Sequence, residues 1–481
     1  MAGARTFESL GLMGLTTQGP APDGRTEIGK LAVDSRQVKP GDLFIAIPGT
    51  ERDGAAFAQY AVRQGAAAVL ATAAGVETAR SDLGDLRVPF FVTETPRAAL
   101  SRLAARYYAR QPAVMAAVTG TNGKTSTAHF LRQIWAHAGL RAAAFGTTGV
   151  EGEGFDEPLS HTTPEPITLH ALLARLDKKG CTHAAMEASS HGLAQHRLDG
   201  VRLAAAGFTN ISRDHMEYHA THADYVAAKL RLFDTVLPAE GTMVVNAMDA
   251  QWPKLRAVQK ARGIAMITVG TGGDVDLLVS QQSFRGDGQD ATFTWKGEAH
   301  RVALNLVGAF QAENVAISAG LALATGLEPE QVFAALAHLS GVKGRMELAA
   351  RRQNGAAIYV DYSHTPDALV TAIAALRPHC TGRLITVFGA GGDRDPGKRP
   401  MMGKAVAEGA DHAIITDDNP RSEDPASIRA AIKAACPEGE EIGDRAEAIL
   451  AGVDALRAPG DCLLIAGKGH EQGQIVGAEI L

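Results

Sequence analysis

The run Val118-Thr119-Gly120-Thr121-Asn122-Gly123-Lys124-Thr125-Ser126 packs glycines, hydroxyls and a lysine into one short stretch. Glycines let a backbone turn tightly and aim successive N–H groups at one centre. A helix starting there adds its positive end. Lys124 can then bridge β- and γ-phosphates, while the hydroxyl of Thr125 or Ser126 can hold Mg²⁺. Gly120, Thr121, Asn122, Gly123, Lys124, Thr125 and Ser126 are therefore the candidate ATP cradle. The spacing is tighter than G-x-x-x-x-G-K-[ST], whose first glycine would fall on Val118. A glycine turn with an exposed lysine is the bland alternative. The strand before and the helix after weigh against it.

Further chemistry-bearing residues follow. Glu187, in Met186-Glu187-Ala188-Ser189-Ser190-His191-Gly192-Leu193, comes at the carboxyl end of a strand candidate, where parallel sheets bind ligands. A carboxylate there can hold Mg²⁺ beside phosphates, although an ordinary turn residue would look the same. His215, His219 and His222 lack the H-E-x-x-H zinc spacing and read as polar loop histidines. Lys229, on an apolar-rich helix, reads by itself as a surface lysine lying along apolar neighbours.

Elements that must position these groups are legible as strands alternating with helices. Residues 1–111 hold short strands (Leu31–Val33, Leu43–Ile47, Ala67–Ala71, Pro89–Val92) and a helix, Pro96–Tyr108, ending near Gln111-Pro112. Residues 112–340 open with strand Ala113–Thr119 and helix Thr125–Ala138, closed by Gly139. Strands Arg141–Phe145, His183–Met186, Leu203–Thr209 and Thr242–Asn246 alternate with helices Thr168–Lys179 and His222–Thr235. Val275–Leu306 alternates polar and apolar residues as a small antiparallel addition; helices Ala309–Thr325 and Glu328–Leu339 follow. Residues 341–481 place strands Ala356–Asp361, Arg383–Phe388, His412–Thr416 and Cys462–Ala466 between helices Pro366–Leu376, Arg399–Ala410, Pro425–Ala435 and Arg445–Leu456. The expectation is an α/β protein of three domains: a small N-terminal α/β domain, a central doubly wound parallel sheet bearing the phosphate loop, and a C-terminal Rossmann-like domain.

Composition narrows the function classes. The 481 residues carry a net charge of −6, with 46% hydrophobic and 21% charged residues. Those values argue against wholesale disorder, and the mild acidity argues against nucleic-acid or membrane-surface binding. Cys181, Cys380, Cys436 and Cys462 are widely spaced and form no C-x-x-C, so neither a disulfide framework nor a zinc ribbon is expected. Met1–Leu15 carries Glu8 and lacks the order of a signal peptide. Ala66–Ala74 is too short to span a bilayer. A cytoplasmic protein with reduced thiols, monomeric and without a transmembrane segment, is the resulting expectation.

T-G-T-N-G-K-T resembles the nucleotide loop of the Mur ligases and of the related folylpolyglutamate synthetases. E-x-S-S-H-G-L-x-Q-H-R, N-I-x-x-D-H and a helical A-A-K resemble the tripeptide-forming Mur ligases, and the likeness extends over nearly the whole chain. It implies ATP and Mg²⁺, with Thr125, Glu187 and His215 at the metal and Lys229 carbamylated to help place a second ion. Lys124, Lys229 and His215 become the catalytic set. Gly308–Asn314, Gly344–Glu347 and Val360–Asp367 would close over ATP, assigning Asn314, Arg345, Asp361 and His364 to base, phosphate or ribose. A uridine-nucleotide sugar-peptide would meet Val33, Ser35, Thr50, Glu51, Arg52, Thr162, Thr163, Ser189, Gln195 and Arg197. His161 stands where the family often has asparagine.

The likeness also assigns acceptor residues. Arg394, Asp418-Asn419-Pro420-Arg421, Gly467 and Glu471 lie on loops after strands, which can converge on one crevice. Meso-diaminopimelate carries a distal carboxylate and ammonium. Arg394 and Arg421 suit the first, Glu471 the second. D-N-P-R marks diaminopimelate-adding members of the family; lysine has no distal carboxylate for that arginine. The implied reaction joins meso-diaminopimelate to the D-glutamate γ-carboxylate of UDP-MurNAc-L-Ala-D-Glu through an acyl phosphate, in peptidoglycan precursor synthesis. A lysine-adding ligase, a folylpolyglutamate synthetase and an acceptor-independent ATPase switch are the competing readings.

Overall fold

The computed structural model describes residues 5–49, 52–212, 218–471 and 473–480. Its largest sheet is ten-stranded and explains where the phosphate loop sits. Strand Val114–Thr119 lies inside it, flanked by Ala205–Phe208 on one side and His183–Glu187 on the other, both parallel to it. Side chains alternate along a strand. Ala116 and Val118 therefore face one core, with Phe130, Ile134, Trp135 and Leu321, while Met115 and Ala117 face a second, with Phe145, Leu172, Met186 and Phe208. Being apolar on both faces, this strand is fixed in depth. Its carboxyl end, where neighbouring connections diverge, is held at the ligand-binding edge of the sheet.

The sheet runs parallel from Ala265–Gly270 through Thr242–Asn246 to Ala142–Gly146. The expected antiparallel addition is present as Leu277–Arg285, Gly288–Trp295 and Glu298–Leu304, joined to that same sheet through Leu277 and Leu278. Strand Gly149–Gly152 caps the opposite edge antiparallel. The first block forms a separate five-stranded sheet. Its strands Leu31–Ala32, Leu43–Ile45, Ala68–Ala71 and Phe90–Val92 are parallel, and Thr16–Gln18 pairs antiparallel at the edge. The last block forms a six-stranded sheet, parallel from Ala357–Asp361 to Glu440–Glu441, with Glu347–Arg351 antiparallel on its edge.

Several elements differ from the sequence expectation. Helix Trp252–Arg262 buries only Leu255, so it shows no apolar stripe to read. Strand Ala265–Gly270 is only partly buried over its first half. The helix expected over His222–Thr235 ends at Arg231 and opens into a wide π turn, Leu232–Val236. All four cysteines are buried and unpaired, as the spacing implied. Among the described residues no helix is long and apolar enough to cross a membrane.

The first two sheets are linked by helix Pro96–Tyr108, which packs on helix Pro166–Lys178. Ser101 Oγ donates to Arg197 O at 3.0 Å and accepts from Gly200 N–H at 3.0 Å. His170 is buried beside this seam, its Nε2 so close to Gly200 that a Cβ there would lie 2.8 Å away. Burial, reinforced by the charge of Arg202, pushes the His170 pKa down to about 4. Protonation of an unfolded histidine near 6.5 therefore favours the unfolded chain. Stability present above pH 6.5 is lost as pH falls towards 4, by about 2 kcal/mol at pH 5. Thermal melts of the parent and of His170→Leu between pH 7 and 5 should show a shallower acid loss in the variant; equal slopes would exclude His170 as the source.

Candidate active site

The phosphate loop is shaped by its neighbours rather than by its own sequence alone. Gly123 has φ 84° and initiates helix Lys124–His137. A Cβ there would sit 2.3 Å from Asn314 Oδ1, so both the left-handed backbone and the close approach require glycine. The segment after strand Ala205–Phe208 clamps the loop from the side. Thr121 N–H donates to Asn210 O at 2.7 Å, Asn122 N–H to Asn210 Oδ1 at 3.1 Å, and Thr209 Oγ1 to Asn122 O at 2.6 Å.

Two lysines then meet on one peptide oxygen. Lys124 Nζ donates to Gly120 O at 2.8 Å and to Thr121 O at 2.7 Å. Lys229 Nζ donates to the same Gly120 O at 2.7 Å and stands 4.6 Å over the Tyr225 ring. Lys229 is 1% exposed, so the surface-lysine reading gives way to one of a cation held inside the site. Its helix is aimed by Tyr225, whose hydroxyl lies 2.8 Å from Thr121 Oγ1. An ammonium is rarely buried without a compensating role.

Opposite the loop stands Glu187, the last residue of its strand and also 1% exposed. Thr147 holds it: its N–H donates to Oε1 at 2.7 Å and its Oγ1 to Oε2 at 3.2 Å. Thr163 Oγ1 donates to Glu187 O at 2.8 Å and accepts from Ser189 N–H at 3.0 Å. Thr125, Ser126, Thr147, Thr162, Glu187 and Lys229 line one cleft of about 520 Å³. Its oxygen donors, the Thr125 hydroxyl and the Glu187 carboxylate, have the hard character that Mg²⁺ requires.

The cleft is covered from the C-terminal sheet. Arg345, Asp361, Tyr362 and His364 line it. The Arg345 guanidinium stacks 4.5 Å over Tyr362. Asp361 accepts from Met346 N–H at 2.7 Å and from Ser363 Oγ; burial nevertheless pushes its carboxyl above the ordinary range. His364 Nδ1 lies 2.7 Å from Tyr362 O. Farther along, Phe310, Glu313, Asn314 and Ile317 contribute from helix Phe310–Ala324. Asn314 is directed into Gly123 and donates from Nδ2 to Gln311 at 3.1 Å.

Beside this cover, the expected acceptor loops do converge. Glu471 accepts from Tyr362 Oη at 3.0 Å and from Asn419 Nδ2 at 3.1 Å. Burial acts to raise the Glu471 carboxyl, but those hydrogen bonds and the Lys468 charge outweigh it and hold it below the ordinary value. Lys468 Nζ donates to Asn419 Oδ1 at 2.8 Å and lies 3.9 Å from Asp418. Arg421 donates to Gly392 O at 2.9 Å, beside the stem of Arg394. Asn419 and Arg421 have φ of 44° and 52° on either side of Pro420. Left-handed backbone at two non-glycine residues is costly, and such outliers cluster at functional sites. Gly467, with φ 113°, lets Asp418 approach so closely that a Cβ would fall 2.2 Å from its Oδ2.

The sugar-peptide candidates are more dispersed. Thr162 and Ser189 line the cleft. Arg197 is buried and its fork is engaged inside the protein: Nη1 donates to Thr163 O at 2.6 Å, while Nε and Nη2 donate to Gln195 Oε1 at 3.2 and 2.8 Å. Val33, Ser35 and Arg52 belong to the first sheet's surroundings, and none of them lines the cleft. Thr50, Glu51 and His215 lie outside the described residues.

Residues 27–108 match the Mur ligase family catalytic domain, 118–322 the Mur ligase middle domain, and 344–469 the Mur ligase glutamate ligase domain. The UDP-N-acetylmuramoyl-L-alanyl-D-glutamate–2,6-diaminopimelate ligase of Bradyrhizobium diazoefficiens is 50% identical over 458 residues, 95% of this chain and 92% of the relative. The chain belongs to the Mur ligase family. A solved structure of a ligase bearing that same name aligns at TM-score 0.73 and 32% identity, covering 99% of this chain and 96% of the other. The MurF ligase from Thermotoga maritima, solved in complex with ADP, aligns at TM-score 0.61 and 21% identity, covering 92% and 94%, and shows the shared fold.

Sequence reasoning missed Thr147, Tyr362, Asn246 and Glu313. Thr147 follows strand Ala142–Gly146 at the same sheet edge as Glu187, so the strand-end rule could have found it. Tyr362 lies inside the Val360–Asp367 motif, but its stacking and hydroxyl contacts are tertiary. The Thr163→Val variant removes both the donor to Glu187 O and the acceptor of Ser189 N–H. It should cost roughly 1–3 kcal/mol, read as a lower melting temperature; an unchanged melt would show that the pair does not brace the Glu187 wall.

Proposed function

We propose that this Mur ligase joins meso-diaminopimelate to the D-glutamate γ-carboxylate of UDP-MurNAc-L-Ala-D-Glu with consumption of ATP. The observation that carries the reading is the pairing of a lysine-lined phosphate cleft with an Arg394, Arg421 and Glu471 crevice immediately beside it. The name of the half-identical relative supports the same substrate and acceptor, and the ADP held by the MurF fold relative supports the nucleotide. The three units, 1–111, 112–340 and 341–481, then divide the work among sugar nucleotide, ATP and amino acid. In this reading the protein is a monomer acting in the cytoplasm.

The γ-phosphoryl group moves from ATP to a γ-carboxylate oxygen, leaving ADP and an acyl phosphate. The free amine attacks the acyl carbon, the tetrahedral intermediate collapses, and inorganic phosphate departs as the amine loses a proton. A carboxylate is a poor electrophile; its acyl phosphate is a good one. Carboxylate and phosphates repel, and the Lys124 and Arg345 cations offset that repulsion in a cleft partly shielded from water. Mg²⁺ held by Thr125 and Glu187, with His215 as an added ligand, would supply further neutralisation. Lys229 faces this site from within, and carbamylation would convert its cation into an anionic oxygen ligand. Arg394 and Arg421 bind the distal carboxylate and Glu471 the distal ammonium, so one amine remains free to attack.

Phosphate release from ATP, measured with the UDP-linked dipeptide plus meso-diaminopimelate, L-lysine or no acceptor, tests the reading. Release should depend on diaminopimelate and yield a UDP-linked tripeptide. Equal release with lysine would refute the acceptor assignment, and release indifferent to both substrates would mark an ATPase. Lys124→Ala should melt like the parent yet lose ATP-dependent turnover; full activity would overturn the loop assignment. Arg421→Ala should raise the acceptor KM by roughly tenfold or more, the scale of one lost charge-assisted pair, with the KM for ATP little moved.

A further inference from the structure

The nucleotide cleft has two chemically different kinds of lining. One is the glycine loop with Lys124 and Arg345. The other is apolar: Phe310 and Ile317 from helix Phe310–Ala324, with Ala368 and Ala372 from helix Pro366–Leu376. Apolar walls with a few fixed polar groups are what the faces and edge of a planar base require. Phe310, Glu313, Asn314 and Ile317 fall at helical spacings of three, four and seven, and so share the face turned to the cleft.

Within that face, the two polar residues do different things. Asn314 is used against the loop, as its approach to Gly123 and its bond to Gln311 show. Glu313 points elsewhere. Its Oε2 accepts from Asn246 Nδ2 at 3.2 Å. Asn246 is buried, and its amide is oriented: Oδ1 accepts from Met248 N–H at 3.0 Å, which turns Nδ2 towards Glu313 and the cleft. Among the described residues, Glu313 Oε1 has no protein donor. A half-buried acceptor and a half-committed amide donor thus stand together on the cleft wall. Burial pushes the Glu313 carboxyl up, with the Asn246 bond opposing it, as expected for a group whose remaining partner is not part of the protein.

We infer that Glu313, oriented by Asn246, selects the base of the nucleotide by accepting a hydrogen bond from an exocyclic amine, and so favours adenine over 6-oxopurines. The inference rests on the proposed ATP-dependent reaction. Adenine offers an amino group at position 6 where hypoxanthine and guanine offer a carbonyl. Two acceptors facing each other leave a desolvated oxygen unpaired, and such mispairing discriminates more strongly than a lost apolar contact. Glu313 is a specificity residue in this account, acting at the base and not at the transferred phosphoryl group.

The test compares kcat/KM for ATP and for inosine triphosphate in the full protein, the Glu313→Gln variant and the Glu313→Ala variant. The parent should prefer ATP by at least about tenfold, the scale of one hydrogen bond to a charged group. Glu313→Gln can turn its amide N–H₂ to the 6-oxo group, so the ATP-to-inosine-triphosphate ratio should fall about tenfold or more. Glu313→Ala should lose most of the preference, by weakening ATP and by relieving the mispairing with inosine triphosphate. A ratio unchanged in both variants, with melting temperatures like the parent, would overturn the inference. Turnover of ATP by the parent separates the two claims: no turnover with any nucleotide sinks the ligase reading, whereas ATP turnover with an unaltered ratio sinks only the role of Glu313.

Discussion

Gly120 O accepts from Lys124 and Lys229 at the same time. Two lysine side chains are drawn onto one peptide oxygen, with Thr121 O and the Tyr225 ring among their other contacts. Like charges brought together oppose one another, so the arrangement must be imposed from outside. Here the imposing parts are a strand buried on both faces, which sets the loop's depth, and the Asn210 segment, which clamps its side. The helix carrying Lys229 is tied back to the loop through Tyr225 and Thr121.

The loop carrying Glu471 is joined to the cleft lined by Arg345 through one aromatic residue. Tyr362 carries Arg345 on its face and donates its hydroxyl to Glu471. A ring that stacks the Arg345 cation and bonds the Glu471 carboxylate cannot shift for one partner without disturbing the other. That linkage gives a physical route by which binding at one end can influence geometry at the other.

Much of the fold was legible because burial leaves a strong imprint. Helix Pro96–Tyr108, helix Pro366–Leu376, strand Thr242–Asn246 and strand Cys462–Ala466 lie where their apolar periodicity put them. Helix Trp252–Arg262 and edge strand Glu347–Arg351 were not legible, since both are largely exposed and carry no apolar stripe. The glycine loop, Glu187 and the loops carrying Arg394, Arg421 and Glu471 lie at the ends of strands, as their sequence context implied. The burial of Lys229 was not legible. A lysine on an apolar helix looks the same whether it reaches solvent or turns inward, and the difference lies in what other strands place above it. Thr147 and Tyr362 act through partners about 40 and 110 residues distant in the chain, at separations no local pattern encodes.

The short hairpin Ile475–Val476 and Glu479–Ile480 acts as a strap on the acceptor loop. Arg421 N–H donates to Ile475 O, Gly477 N–H to Arg421 O, and Asn419 N–H to Gln474 Oε1. The left-handed backbone around Pro420 is thus held by this hairpin. A substitution in this strap therefore acts on the direction of Arg421 through main-chain bonds, and surface segments of this kind tolerate substitution more readily than the core.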